Sequence, residues 1–198
     1  MLKTRIILVA SATVLASCSP EREGPTEFEV TAPLYVMGGN QGTNIGTHLT
    51  GDEEVLVVAA GAPHPSDSRA QGQAIFRVDG NTVDFRLIAT NINNITQAHI
   101  HCGFAGANGP VRIWLYPVIG TTGAAGPDGS GRHNGVLASG TFSVAGVICP
   151  AANVGVDMPL LDAIRAGFAY VNVHTSDGGA PNTGPGDFPG GELRGQLD

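Results

Sequence analysis

The stretch Ala74-Ile75-Phe76-Arg77-Val78-Asp79-Gly80-Asn81-Thr82-Val83-Asp84-Phe85-Arg86-Leu87-Ile88-Ala89 decides the fold class. Two runs of alternating apolar and polar residues flank Asp79-Gly80-Asn81, and a period of two is that of a strand with one buried face. Ala74, Phe76 and Val78 share a face of the first run, with Val83, Phe85, Leu87 and Ala89 opposite them on the second. A tight turn of this composition predicts an antiparallel hairpin.

Further strands are legible on both sides. Val55-Leu56-Val57-Val58 is a short apolar run. Residues 95–102 read as a strand with Ala98 and Ile100 facing in, and 111–116 as another presenting Val111, Ile113 and Leu115. A glycine-rich loop, 120–135, leads to a strand over 136–144. Residues 168–175 place Val171 and Val173 on one face, and a Gly/Pro-rich loop, 176–190, precedes a last strand over 191–197. One helix is predicted, capped by Asp157, with Pro159 in its first turn, an apolar stripe of Leu160, Leu161 and Ile164, and Gly167 as a left-handed end. Seven or eight short strands, with 29 glycines and few charges, predict an all-β Greek-key sandwich or flattened barrel with one short helix.

The N-terminus has the organisation of an export signal. Lys3 and Arg5 precede an apolar run over 6–16, too short for the roughly 20 residues of a membrane span. Leu15-Ala16-Ser17-Cys18 resembles the lipobox of bacterial lipoproteins. Residues 1–17 are therefore expected to be a signal peptide, 18–47 a tether, and 48–198 the folded domain. A short strand is possible within the tether at 33–37. Lipid on Cys18 would make the membrane a partner, since several acyl chains anchor where one does not. Ser19 stands where an aspartate would mark inner-membrane retention, so the expected location is the outer membrane of a Gram-negative cell envelope.

Charge and cysteines fit that setting. The net charge is −7 and no Lys/Arg cluster occurs, which argues against nucleic acid as a partner. With Cys18 lipidated, Cys102 and Cys149 remain, and an oxidising compartment favours a disulfide between them over two buried free thiols.

Six histidines follow Cys18. His99 and His101 are two apart on a strand and leave it on the face away from Ala98 and Ile100. His174 shares a later strand face with Tyr170 and Asn172. An i,i+2 pair with a third imidazole from a neighbouring strand can hold copper or zinc. The same residues could instead be hydrogen-bonding histidines beneath a loop, or exposed ones.

Several blocks carry a family resemblance. Gln97-Ala98-His99-Ile100-His101-Cys102-Gly103, followed by Gly106-Ala107-Asn108-Gly109-Pro110-Val111, resembles the core of the CHRD domain, named for its repeats in chordin. Gly167-Phe168-Ala169-Tyr170-Val171-Asn172-Val173-His174-Thr175 is similar to its aromatic-Val-Asn-x-His-Thr strand. Gly191-Glu192-Leu193-Arg194-Gly195-Gln196-Leu197 is similar to its closing strand, and Leu49-Thr50-Gly51-Asp52-Glu53-Glu54-Val55 to its opening block. Leu56 and Val57 stand where the family often has prolines, and 59–67 and much of 176–190 look inserted. The resemblance implies an immunoglobulin-like β-barrel with a faint likeness to copper/zinc superoxide dismutases. It also strengthens the case for a metal at His99, His101 and His174, which all fall inside family blocks.

Two functions are open at this level. One is a non-catalytic module that binds an envelope protein or ligand, or is purely structural. The other is a copper- or zinc-binding metalloprotein, of which a superoxide-dismutase-like protein is one form, although a binuclear dismutase site would conscript His48, His64 and His133 as well. No nucleophile elbow, phosphate loop or His-Glu-x-x-His helix occurs, and no residue is assigned a catalytic role. Glu192 and Arg194, on one face of the last strand, are expected to form a structural polar pair. Asp187 and Glu192 are the first candidates to orient a ligating ring through its second nitrogen.

Overall fold

A computed structural model describes residues 43–56 and 62–198. Cys18, the signal segment, the possible strand at 33–37 and Val57-Val58 lie outside the described residues. In chain order the strands are β1 (Thr43–Thr50), β2 (Gln71–Asp79), β3 (Thr82–Asn93), β4 (Ile95–Cys102), β5 (Val111–Tyr116), β6 (Arg132–Ser143), β7 (Ile148–Cys149), β8 (Met158–Pro159), β9 (Ala169–Thr175) and β10 (Leu193–Leu197). Eight of them form one sheet in the order β5-β4-β9-β10-β1-β2-β3-β6, antiparallel at every pairing. Its two end strands, β5 and β6, approach one another, so the sheet is a nearly closed barrel.

The decisive hairpin is β2–β3. It turns at Gly80, whose φ of +58° suits a residue without Cβ. Burial alternates along all of β2, and Phe76, Phe85 and Phe142 of β6 pack together inside. Here the strands keep one face in the core and one in water. β4 and β9 differ, because nearly every residue of β4 and all of β9 are buried. Ala98, Ile100, Val171 and Val173 fill the barrel, while the outer face of the same strands lies under loops. That cover is what turns a polar strand face into an interior site.

Three expectations need correction. β1 begins at Thr43, inside the expected tether, and pairs with β2 from Thr43↔Val78 to Thr50↔Gln71. Only Ile45 and Leu49 reach the core from it, too sparse an alternation to announce a strand. There are two short helices rather than one: α1 (Ala151–Val154) and α2 (Leu160–Arg165). Asp157 does not cap α2; its carboxylate accepts from the Ala151 N–H at the start of α1. Gly167 is left-handed as expected, with φ +71°. Cys102 and Cys149 form a disulfide with Cα atoms 5.5 Å apart, which removes the free-thiol alternative and ties the end of β4 to β7.

Candidate metal centre

Antiparallel pairing of β4 with β9 sets Gln97 opposite His174, His99 opposite Asn172 and His101 opposite Tyr170. Alternation puts all three imidazoles on the outer face, where they converge. His99 Nδ1 lies 3.2 Å from His174 Nε2, and one nitrogen from each of the three rings lies within 4.8 Å of the others. Tetrahedral or trigonal ligands about 2.0–2.1 Å from an ion sit about 3.3–3.6 Å apart, so the His99–His174 spacing is already near that of a chelating pair.

The second nitrogens decide which lone pairs face inward. His101 Nδ1 donates to the Gly109 carbonyl at 2.8 Å, and His174 Nδ1 donates to the Pro189 carbonyl at 2.8 Å. A carbonyl only accepts, so both rings carry their proton on Nδ1 and, when neutral, have an unprotonated Nε2, that of His174 accepting the hydrogen bond from His99 Nδ1. The orienting groups are thus backbone carbonyls, not the Asp187 and Glu192 carboxylates expected. His101 Nε2 and His99 Nε2 are buried with no hydrogen-bond partner in the protein. Gly109 must be glycine to bring its carbonyl so close, because a Cβ there would stand 1.6 Å from the Cys102 carbonyl oxygen.

An aromatic and ionic frame surrounds the rings. Tyr170 stacks on His101, with centroids 4.8 Å apart and planes 9° from parallel, and the Arg194 guanidinium lies over the Tyr170 ring at 3.5 Å. Arg194 also donates to the Phe104 and Ala107 carbonyls and to Asn108 Oδ1, fixing the loop that supplies Gly109. Trp114 of β5 meets His99 edge to face at 4.2 Å, and Gly123 of the 120–126 loop closes over the indole. Glu54 receives the Asn172 amide N–H. Burial pushes its carboxyl up to about 7, against the pull of Arg194 and the Asn172 bond.

Glu192 and Arg194 are not a pair. Glu192 accepts from Ser68 Oγ, Thr175 Oγ1 and the Gly186 N–H, while the carboxylates acting on Arg194 are Glu54 and Glu53. The cause is the start of β10 at Leu193, which leaves Glu192 in the preceding loop. Asp187 is spent on Thr183, and its Oδ1 is buried without a partner. The remaining histidines stay away from the cluster: His64 caps the 3-10 turn Pro65–Asp67, His133 contacts the Gly135 carbonyl, and His48 lies on β1. Among the described residues no carboxylate, cysteine or further histidine joins the three rings. Trp114, Glu54 and the two carbonyls carried no warning in the sequence beyond their place in the strand and loop pattern.

Desolvation by burial depresses all three rings from the ordinary 6.5, to about 3 for His99 and about 4 for His101 and His174. Their neighbours add to this for His99 and His101. Below pH 6.5 the unfolded chain takes up protons that the folded chain refuses, so stability falls until the folded values are reached. Glu54 opposes this, because its raised folded value makes acidification favourable between about 7 and 4.5. At about 1.4 kcal/mol per pH unit per group, three rings outweigh one carboxyl by on the order of 3 kcal/mol between pH 7 and 5. The chelator-stripped chain should therefore unfold at lower urea at pH 5 than at pH 7. Equal midpoints would mean that the folded rings accept protons.

These features define a class: an all-β barrel domain with a buried three-histidine cluster on the outer face of one half. The CHRD domain model matches residues 45–197, and the chain belongs to the CHRD domain family. No curated protein and no solved structure matches the chain.

Proposed function

We propose that the chain is an exported, lipid-anchored CHRD module that binds one copper or zinc ion through His99, His101 and His174. It acts by holding the ion rather than by catalysis. The observation that carries this reading is the pinning of two Nδ1 protons by backbone carbonyls, which directs lone pairs into a buried common space. Ligands must be deprotonated to bind, and rings held neutral by burial meet that condition at pH 7. The Leu15-Ala16-Ser17-Cys18 motif and the disulfide support export and anchoring in the outer membrane. The strand order, which sets β6 beside β3 and β4 beside β9, supports an immunoglobulin-like Greek-key description. It does not extend to a binuclear dismutase centre, since the other three histidines lie elsewhere.

Trp114 is the chain's one tryptophan and touches His99, so its fluorescence reports on the site. Adding one equivalent of copper or zinc to the tag-free chain should change that emission. An ion present at a hundred times its dissociation constant should raise the melting temperature by roughly 8 °C, from about 2.7 kcal/mol of linkage. A His99→Ala/His101→Ala variant should show neither response. Equal shifts in both proteins would leave the chain a binding or structural module without a metal at this site.

A further inference from the structure

We infer that the three-histidine cluster is built for monovalent copper, Cu(I), in preference to the divalent ions Zn(II) and Cu(II). This rests on the metal-binding reading above and names the ion within it.

The first argument is coordination number. Structural zinc sites supply four protein ligands, and catalytic ones supply three with a position open to water. Here three rings converge, and no cysteine or carboxylate joins them among the described residues. Yet the site is closed: His99 is 2 % exposed, and His101 and His174 are 8 % exposed. Trp114, Tyr170 and the two carbonyl-bearing loops wall it in. Three ligands without an open side suit an ion content with three-coordination. Cu(I), with a filled d shell, is such an ion, whereas Zn(II) and Cu(II) demand four or more ligands.

The second argument is charge. Neutral imidazoles contribute none, and their second nitrogens rest on carbonyls rather than carboxylates. A fixed cation beside the cluster is Arg194, which lies over the Tyr170 ring that stacks on His101. The carboxylates near Arg194, Glu54 and Glu53, act on that guanidinium and not on the three rings. Asn172 Oδ1, also buried without a partner, is a neutral amide oxygen. The cost of moving an ion out of water scales with the square of its charge, so a dication costs about four times as much as a monocation of similar size. A site that offers no anion selects the lower charge.

The test uses the full chain, purified without a histidine tag, under anaerobic conditions. Cu(I), supplied with ascorbate, is partitioned against a colorimetric Cu(I) chelator, and Zn(II) is partitioned in parallel against a zinc chelator. Trp114 emission is read throughout. The expected result is one Cu(I) per chain, held more tightly than Zn(II) in the paired competitions, and no site-bound Cu(II) paramagnetic signal without reductant. His174→Ala and His99→Ala should each lose the tight Cu(I) equivalent, and far-ultraviolet circular dichroism checks that both are folded. Zn(II) or Cu(II) bound as tightly as Cu(I), and lost in the same variants, would overturn the preference while leaving the metal site standing. Failure of every ion to bind the wild type in a histidine-dependent way would overturn both readings.

Discussion

Replacing Cys102 and Cys149 together by alanine should lower the stability of the domain by about 4 kcal/mol. The bridge closes a separation of 47 residues, and the loop entropy removed from the unfolded chain is of that size. Both cysteines are fully buried in the core, so the variant also loses sulfur packing against the barrel. The effect reaches the site by a short path. Cys102 ends β4 directly after His101, and its N–H donates to the Pro110 carbonyl, in the loop that presents Gly109. Urea unfolding of the variant, beside oxidised and reduced wild type, measures the loss. A change under about 1 kcal/mol would show that the unfolded chain is already restricted without the bridge.

Glu192→Ala should be comparably severe, at about 3–5 kcal/mol, because it strands two buried donors and a half-buried one at once. Its carboxylate collects Ser68 Oγ at 2.5 Å, Thr175 Oγ1 at 2.7 Å and the Gly186 N–H at 2.8 Å. Thr175 in turn accepts the Phe188 N–H. Those contacts hold the loop that runs from 176 to Pro189, whose carbonyl pins His174. Glu192→Gln keeps an acceptor oxygen in place and should lose markedly less. Thermal melts of the two variants separate them, and metal titration should show Glu192→Ala weakened at the histidine cluster. If alanine and glutamine variants melt together close to wild type, solvent must satisfy the abandoned donors and the carboxylate is not the anchor of that loop.

Arg194 takes its partners from a distant loop and not from its own strand. Its position on the last strand is legible in the sequence, but the partner expected there is Glu192, two residues before it on the same face. The guanidinium instead spans loop carbonyls at Phe104 and Ala107 and lies flat on Tyr170. A planar fork of donors is satisfied best where several acceptors are fixed together, and only a folded loop offers that.

By itself the sequence determined the all-β class, the β2–β3 hairpin with its inward set from Ala74 to Ala89, and the common face of His99 and His101. Each of these follows from alternation along one chain segment, which local geometry enforces. Tertiary structure decided the rest. The start of β1 at Thr43 depends on pairing with β2, since Ile45 and Leu49 alone are too sparse to show it. The approach of His174 to His99 depends on β9 lying beside β4, a pairing between residues 75 apart in the chain. The choice of Gly109 and Pro189 carbonyls over Asp187 and Glu192 depends on how two loops fold back over an outer strand face. A strand's periodicity states which side chains leave together; whether that face meets water or a loop is set by segments distant in sequence, and burial there is what makes the three rings a site.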